Sequence, residues 1–301
     1  MSLFKGAGVA LVTPFSEDES VNFKELGRLL EFQLENDIDA IIVCGTTGEP
    51  VTMTEEERLS VIEYTVKKVA KRVPVIAGSG GNCTKKTVAF SKKAQELGVD
   101  GLLVVTPYYN KATQQGLFEH YKCVADAVEI PIIVYNVPSR TGVNILPDTV
   151  VRLAKACENI VAVKEASGNI TQVADLLKRA AGCLDVYSGN DDQIVPILSL
   201  GGVGVISVLA NIAPKDTHEM VMKYLEGNVI EAARLQLEYL DVIHALFCEV
   251  NPIPVKKALE FMGFATKTLR MPLTEMEEKA AINLKEKMIE IEMLYKKLIL
   301  D

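Results

Sequence analysis

Short apolar runs, rich in β-branched residues, recur along the chain with longer stretches of helical spacing between them. The runs cover residues 8–12, 40–44, 74–77, 101–105, 132–135, 160–163, 184–187 and 203–207. Strands with so few polar positions are buried on both faces, which a parallel sheet covered by helices provides. The intervening stretches agree. Thr54-Glu55-Glu56-Glu57 reads as a capping box opening a helix that buries Val61, Ile62, Val66 and Val69, and Cys83-Thr84-Lys85-Lys86 opens another that runs to Gly98. Eight such units in one α/β chain fit a (β/α)8 TIM barrel better than an open doubly wound sheet, which usually has fewer strands. After Asn211 the strand signals stop. Residues from about 214 to 301 read as helical throughout, punctuated by Gly227, Asn251-Pro252-Ile253-Pro254 and Pro272. The last helix is expected to start at a second capping box, Thr274-Glu275-Met276-Glu277, and to carry an apolar stripe through Ile282, Met288, Ile289 and Leu294. The expected organisation is a catalytic barrel over residues 1–213 and a helical region over 214–301 packed on it.

Composition narrows the function classes. The chain has 301 residues, half of them hydrophobic, and its net charge of −8 is spread along the sequence. No cluster of Lys and Arg with interleaved aromatics is present, so no nucleic-acid partner is expected. Six scattered cysteines without a C-x-x-C spacing read as buried thiols in a reducing compartment. Three distant histidines offer neither a metal site nor a histidine triad. No apolar run reaches membrane-spanning length and the first residues lack a signal-peptide pattern, so a cytoplasmic protein with no membrane contact is expected. Gly78-Ser79-Gly80-Gly81 and Gly201-Gly202-Val203-Gly204 do not make a dinucleotide fingerprint.

Lys164 is the residue that most needs a reason. It interrupts the apolar run Ile160-Val161-Ala162-Val163 at the end of strand six, where an ammonium must be paired, snorkel to solvent, or shed its proton. A lysine that loses its proton near neutral pH is a nucleophile for carbonyl carbon. Active sites of TIM barrels form at the C-terminal strand ends. Those ends here carry Gly45-Thr46-Thr47-Gly48-Glu49, Tyr108-Tyr109, Tyr135-Asn136-Val137-Pro138-Ser139-Arg140-Thr141-Gly142, Lys164, Ser188-Gly189-Asn190 and Ile206. Each has a plainer reading. The Gly-Thr-Thr-Gly segment is either an ordinary βα turn or a cradle of N–H and hydroxyl groups for a carboxylate. The tyrosines alone read as core-edge packing and Arg140 alone as a surface charge.

Taken in order along the chain, Gly45-Thr46-Thr47-Gly48-Glu49, Tyr135 to Gly142 and Val163-Lys164-Glu165-Ala166 resemble the pyruvate-dependent class I aldolase/lyase family, and the likeness extends to the tail segment Asn251-Pro252-Ile253-Pro254-Val255-Lys256. The resemblance implies that Lys164 forms an imine with pyruvate, with no other cofactor and no metal. It implies further that Thr46 and Thr47 hold the pyruvate carboxylate, that Tyr135 moves protons, and that Thr46 links Tyr135 to Tyr109 in a hydroxyl chain. Gly189 and Ile206 would also line the substrate site. In the family the tyrosine matching Tyr109 enters a neighbouring subunit's site, so a homo-oligomer, usually a tetramer, is implied. Arg140 would grip the carboxylate of L-aspartate 4-semialdehyde as second substrate. The alternatives are a lyase of 2-keto-3-deoxy sugar acids or sialic acid, and a barrel that binds a keto acid without turning it over.

One departure from the family concerns feedback by L-lysine, which in inhibited members binds between paired subunits. Asn82 and Tyr108 match that site. Glu55 stands at its histidine position, Arg58 at a second basic or histidine position, and Lys86 where a glutamate would pair the ligand's α-amino group. Like charge at Lys86 is expected to leave L-lysine a weak inhibitor or none.

Overall fold

The computed structural model describes residues 2–293. Eight parallel strands close into one barrel in chain order: β1 (Gly6–Ala10), β2 (Ala40–Val43), β3 (Val75–Gly78), β4 (Gly101–Val105), β5 (Ile132–Asn136), β6 (Ile160–Glu165), β7 (Asp185–Ser188) and β8 (Gly204–Ser207). Between them run α1 (Phe23–Leu34), α2 (Glu55–Val69), α3 (Thr84–Glu96), α4 (Gln114–Ala125), α5 (Pro138–Thr141), α6 (Pro147–Ala156), α7 (Ile170–Ala180) and α8 (Ile194–Ser199). The TIM barrel read from the sequence is the observed fold. The capping box of α2 forms as expected, with Glu57 N–H on the Thr54 hydroxyl and Thr54 N–H on the Glu57 carboxylate.

Alternation along each strand divides the core in two. Ile42, Ile76, Leu103, Ile133, Ala162 and Ile206 belong to the cluster inside the barrel, while Ile41, Val104, Val134, Val163 and Val205 pack under the helices. That parity decides where Lys164 goes. Ala162 and Ala166, two residues either side of it, are inner-cluster residues, so the lysine shares their face and projects into the barrel. Their small side chains leave it room.

The chain beyond β8 forms α9 (Pro214–Leu225), α10 (Val229–Glu238), α11 (Leu240–Leu246), α12 (Ile253–Phe261) and α13 (Glu278–Glu290). Helix α9 packs on β1 and serves as the eighth helix of the barrel, so the barrel itself continues past residue 213. The tail is not helical throughout. Gly263, at φ +83, ends α12, and no helix covers residues 264–277. That segment is pinned across the molecule instead. Ala265 N–H donates to Glu25 Oε1 at 2.7 Å, the Thr266 hydroxyl to Lys256 O at 2.8 Å, and Lys256 Nζ to Thr268 O at 2.8 Å. The expected capping box at Thr274 does not form: α13 starts at Glu278, with Glu277 at its N-cap and no side-chain cap. The Glu277 N–H is taken by Glu249 Oε1 at 3.0 Å, a tertiary contact that sequence spacing does not reveal. Leu294 of the anticipated stripe lies outside the described residues.

Candidate active site

A cavity of about 480 Å³ opens at the C-terminal ends of β2 to β5. Thr46, Tyr108, Tyr135, Val137, Arg58 and Arg140 are on its wall. Two loop devices shape it. After β2 the chain turns through Cys44 (φ 53), a short 3-10 turn at Thr46–Gly48 and Glu49 (φ 55). The Cys44 carbonyl passes so close to β3 that a Cβ on Gly78 would lie 2.1 Å from its oxygen; glycine is required there. After β5, Pro138 starts the single turn α5, which ends on Gly142 at φ +68 and carries Arg140 out to the mouth. Buried Thr141 fixes that turn, donating to Val143 O at 2.9 Å.

Lys164 lies deeper, with its Nζ 4.5 Å from the centre of the Tyr135 ring and its side chain only 5% exposed. The two residues face each other directly in the β5–β6 register. Burial lowers the Lys164 pKa to about 8; Asp191 opposes the shift and Arg140 adds to it. Burial likewise raises the Tyr135 phenol, which a hydrogen bond with Thr46 and the charge of Arg140 partly offset. The site therefore holds a lysine within reach of its neutral form at physiological pH beside a phenol that keeps its proton. Gly189 touches Lys164: a Cβ there would stand 3.0 Å from the lysine Cε and 2.6 Å from Ala166 Cβ. Ile206 is buried in the same inner cluster as Tyr135.

Thr47 is buried behind Thr46 and accepts a hydrogen bond from Asn251 Nδ2 at 3.0 Å. The main-chain oxygen of Asn251 accepts from Arg140 at 3.2 Å. One residue of the tail thus ties the β2 loop to the β5 loop. Next along the β2 loop, Glu49 pairs with Lys256 at 2.5 Å, both side chains only 1% exposed. Thr46, Tyr135 and Arg140 therefore share one cavity, with Lys164, Gly189, Thr47 and Ile206 packed behind its wall. Tyr109 does not join them in its own chain. It is 90% exposed, at φ 72.

Sequence reasoning did not single out Asp191, Asn251 as a tie, or the Glu49–Lys256 pair. Asp191 was visible only as one of two adjacent aspartates, and nothing local distinguishes it, buried, from exposed Asp192. Cys44 is buried, and its thiol is pushed up to about 12, which leaves it unreactive. At the position of the expected inhibitor site, Glu55 pairs with Lys93 at 2.6 Å, and Arg58 stacks on Phe90 at 3.7 Å and donates to Gly78 O at 2.9 Å. Lys86 is exposed. Among the described residues no cluster could hold a metal ion, and no helix is long and apolar enough to cross a membrane.

Residues 3–291 match the dihydrodipicolinate synthetase family. The chain belongs to that family. A 4-hydroxy-tetrahydrodipicolinate synthase of Caldicellulosiruptor bescii is 61% identical over 290 residues, covering 96% of this chain and 98% of the relative. The protein of the same name from Lachnoclostridium phytofermentans is 57% identical over 288 residues, covering 96% and 98%. Among solved structures, dihydrodipicolinate synthase from Aquifex aeolicus superposes with a TM-score of 0.94 at 47% identity, over 96% of this chain and 99% of that one.

Proposed function

We propose that this chain is a 4-hydroxy-tetrahydrodipicolinate synthase, condensing pyruvate with L-aspartate 4-semialdehyde at the first committed step of diaminopimelate and lysine biosynthesis. The observation that carries the reading is Lys164, an inward-facing lysine with its pKa lowered to about 8, lying against a buried tyrosine beneath a cavity with an arginine at its mouth. Full-length likeness to relatives of that name supports the choice of substrates.

The neutral amine of Lys164 attacks the ketone carbon of pyruvate. Tyr135 supplies the proton that lets the oxygen leave as water, and a protonated imine results. N–H and hydroxyl groups of Thr46 and Thr47 hold the pyruvate carboxylate, with Gly189 and Ile206 beside the bound keto acid. Loss of a C3 proton gives the enamine, which attacks the aldehyde of the second substrate. Arg140 grips that substrate's carboxylate at the mouth. The imine on Lys164 does the work of a cofactor, so none is required, and no metal. Tyr109, projecting from its own chain, completes the Thr46–Tyr135 hydroxyl chain of a neighbouring subunit in a homotetramer built as a dimer of dimers. The working compartment is the cytoplasm.

The test is turnover of pyruvate plus L-aspartate 4-semialdehyde, coupled to the NADPH-dependent reductase of the next step. Wild-type turnover that falls at least about a hundredfold in Arg140→Ala, with pyruvate still reductively trapped on Lys164, supports the assignment. No turnover with those substrates refutes it.

A further inference from the structure

Imine chemistry at Lys164 has an electrostatic requirement of its own. The neutral amine of Lys164, a ketone and one proton give a protonated imine and water, so Nζ carries a positive charge once the imine has formed. That charge lies among Ala162, Ala166, Ile206 and the Tyr135 ring, inside the barrel. A cation in such surroundings needs a partner. Among the described residues, the charged groups that act on Lys164 are Arg140, a second cation, and Asp191, an anion. Tyr135 is uncharged in its protonated form. Glu165, although adjacent in sequence, lies on the other face of β6 and is engaged by Asn136 Nδ2 at 3.1 Å.

Asp191 follows β7 at the barrel mouth, two residues after the glycine that touches the Lys164 side chain. It is 2% exposed. Its Oδ2 accepts from the N–H groups of Val208 and Leu209 at 3.0 and 2.9 Å, and the Ser207 hydroxyl adjoins the carboxylate. Gln236 Nε2 holds its main-chain oxygen at 2.9 Å. Its Oδ1 is buried and has no hydrogen-bond partner among the described residues. Anchoring two N–H groups needs only a neutral acceptor. An asparagine would supply one without the cost of burying a charge, so a carboxylate at this position calls for another role.

We propose that Asp191 is a positioning residue for the imine step, the fixed counter-charge for the protonated imine that forms on Lys164 Nζ inside the barrel. The inference rests on the imine chemistry proposed above. When the substrate's C3 proton leaves, the C3–H electron pair becomes the enamine double bond and the C=N pair moves onto nitrogen. A carboxylate placed to favour the cation sustains that electron sink until the proton departs.

The experiment compares the full-length wild type with Asp191→Asn and Asp191→Glu. Pyruvate is trapped on Lys164 with sodium cyanoborohydride across a pH series, and pH–rate profiles are recorded in the coupled assay. In Asp191→Asn, which can still accept from both N–H groups, the pH limb set by the lysine moves acid-ward by about one unit or more, a tenfold change in proton affinity. At the same time kcat falls at least about tenfold and KM for pyruvate changes less. Asp191→Glu keeps the charge and the wild-type limb. A folded Asn variant with a wild-type limb and kcat within about twofold overturns the proposal, as does a Glu variant that shifts with it. Should the Asn variant not fold, Asp191→Ser is read by the same criteria. Failure of the wild type itself to trap pyruvate is a different result, which removes the imine reading and this inference with it.

Discussion

Replacing Lys256 by methionine tests whether the tail holds the β2 loop through charge. The side chain is fully enclosed. Its Nζ lies 2.5 Å from Glu49 Oε1, 2.8 Å from Thr268 O and 4.4 Å from the centre of the Phe15 ring, over which Arg270 also stacks. Methionine keeps most of the aliphatic stem, so packing changes cost little, but the Glu49 carboxylate loses its nearest cation in a dry site. Breaking a buried pair from one side costs about 3–5 kcal/mol, a large share of the roughly 5–15 kcal/mol that separates folded from unfolded chains. With an unfolding entropy of about 2.1 cal/mol/K per residue over 301 residues, a loss of about 4 kcal/mol lowers Tm by roughly 6 °C. Glu49 directly follows Thr47 and Gly48, so the β2 loop also loosens, and KM for pyruvate rises more than kcat falls. Adding Glu49→Gln to Lys256→Met removes the stranded charge and recovers at least half of the lost Tm. Calorimetry and pyruvate kinetics on wild type, both single variants and the double variant complete the cycle. A Lys256→Met protein with unchanged Tm, or a double variant less stable than the single one, refutes the reasoning.

Gly189→Ala places a methyl 2.6 Å from Ala166 Cβ and 3.0 Å from Lys164 Cε. It is expected to cost about 1–3 kcal/mol of stability and about a hundredfold in kcat/KM by displacing the amine; wild-type trapping kinetics in that variant would count against the contact. His120 is buried with its Nδ1 on the Thr84 hydroxyl at 2.9 Å, and burial lowers its pKa to about 4. Its folded value lies below its unfolded value of about 6.5, so the unfolded chain binds the extra proton, and up to about 3 kcal/mol of stability present above pH 6.5 drains away as pH falls toward 4. His120→Gln should flatten the Tm profile in that window, and an unchanged slope contradicts the assignment. L-lysine at submillimolar concentration should leave turnover nearly unchanged, because Lys86 repels the ligand's α-amino group and Glu55 is occupied by Lys93; full inhibition there sinks the inference.

What could be read in the sequence and what could not follow from the range of the interactions. Eight apolar runs at regular spacing fix a barrel because period and burial are local properties, and the α2 capping box is likewise a local pattern. Strand ends were readable to within a residue or two, as for β1, which runs from Gly6 to Ala10. Lys164 was conspicuous because a charge in an apolar run violates its surroundings. That no helix covers 264–277 is not legible locally, because the segment's partners, Glu25 and Lys256, are remote or lie in another element. Asp191 passed unnoticed for the same reason: its environment is made by Val208, Leu209 and Gln236, none of which its own neighbours announce.

The hydrogen bonds of Asn251 have a consequence for how the protein is made. Thr47 and Arg140 leave the ribosome early, whereas the residue that joins them arrives about 110 positions after Arg140. The last strand, β8, ends at Ser207, 44 residues before Asn251, so at a synthesis rate of about 5–20 residues per second a nascent chain carries all eight strands with an untethered mouth for roughly 2–9 s. During that interval Lys164 is already synthesised, but the β2 and β5 loops are not yet bound to each other. The tie between the β2 and β5 loops is thus among the last contacts of the site that translation can complete.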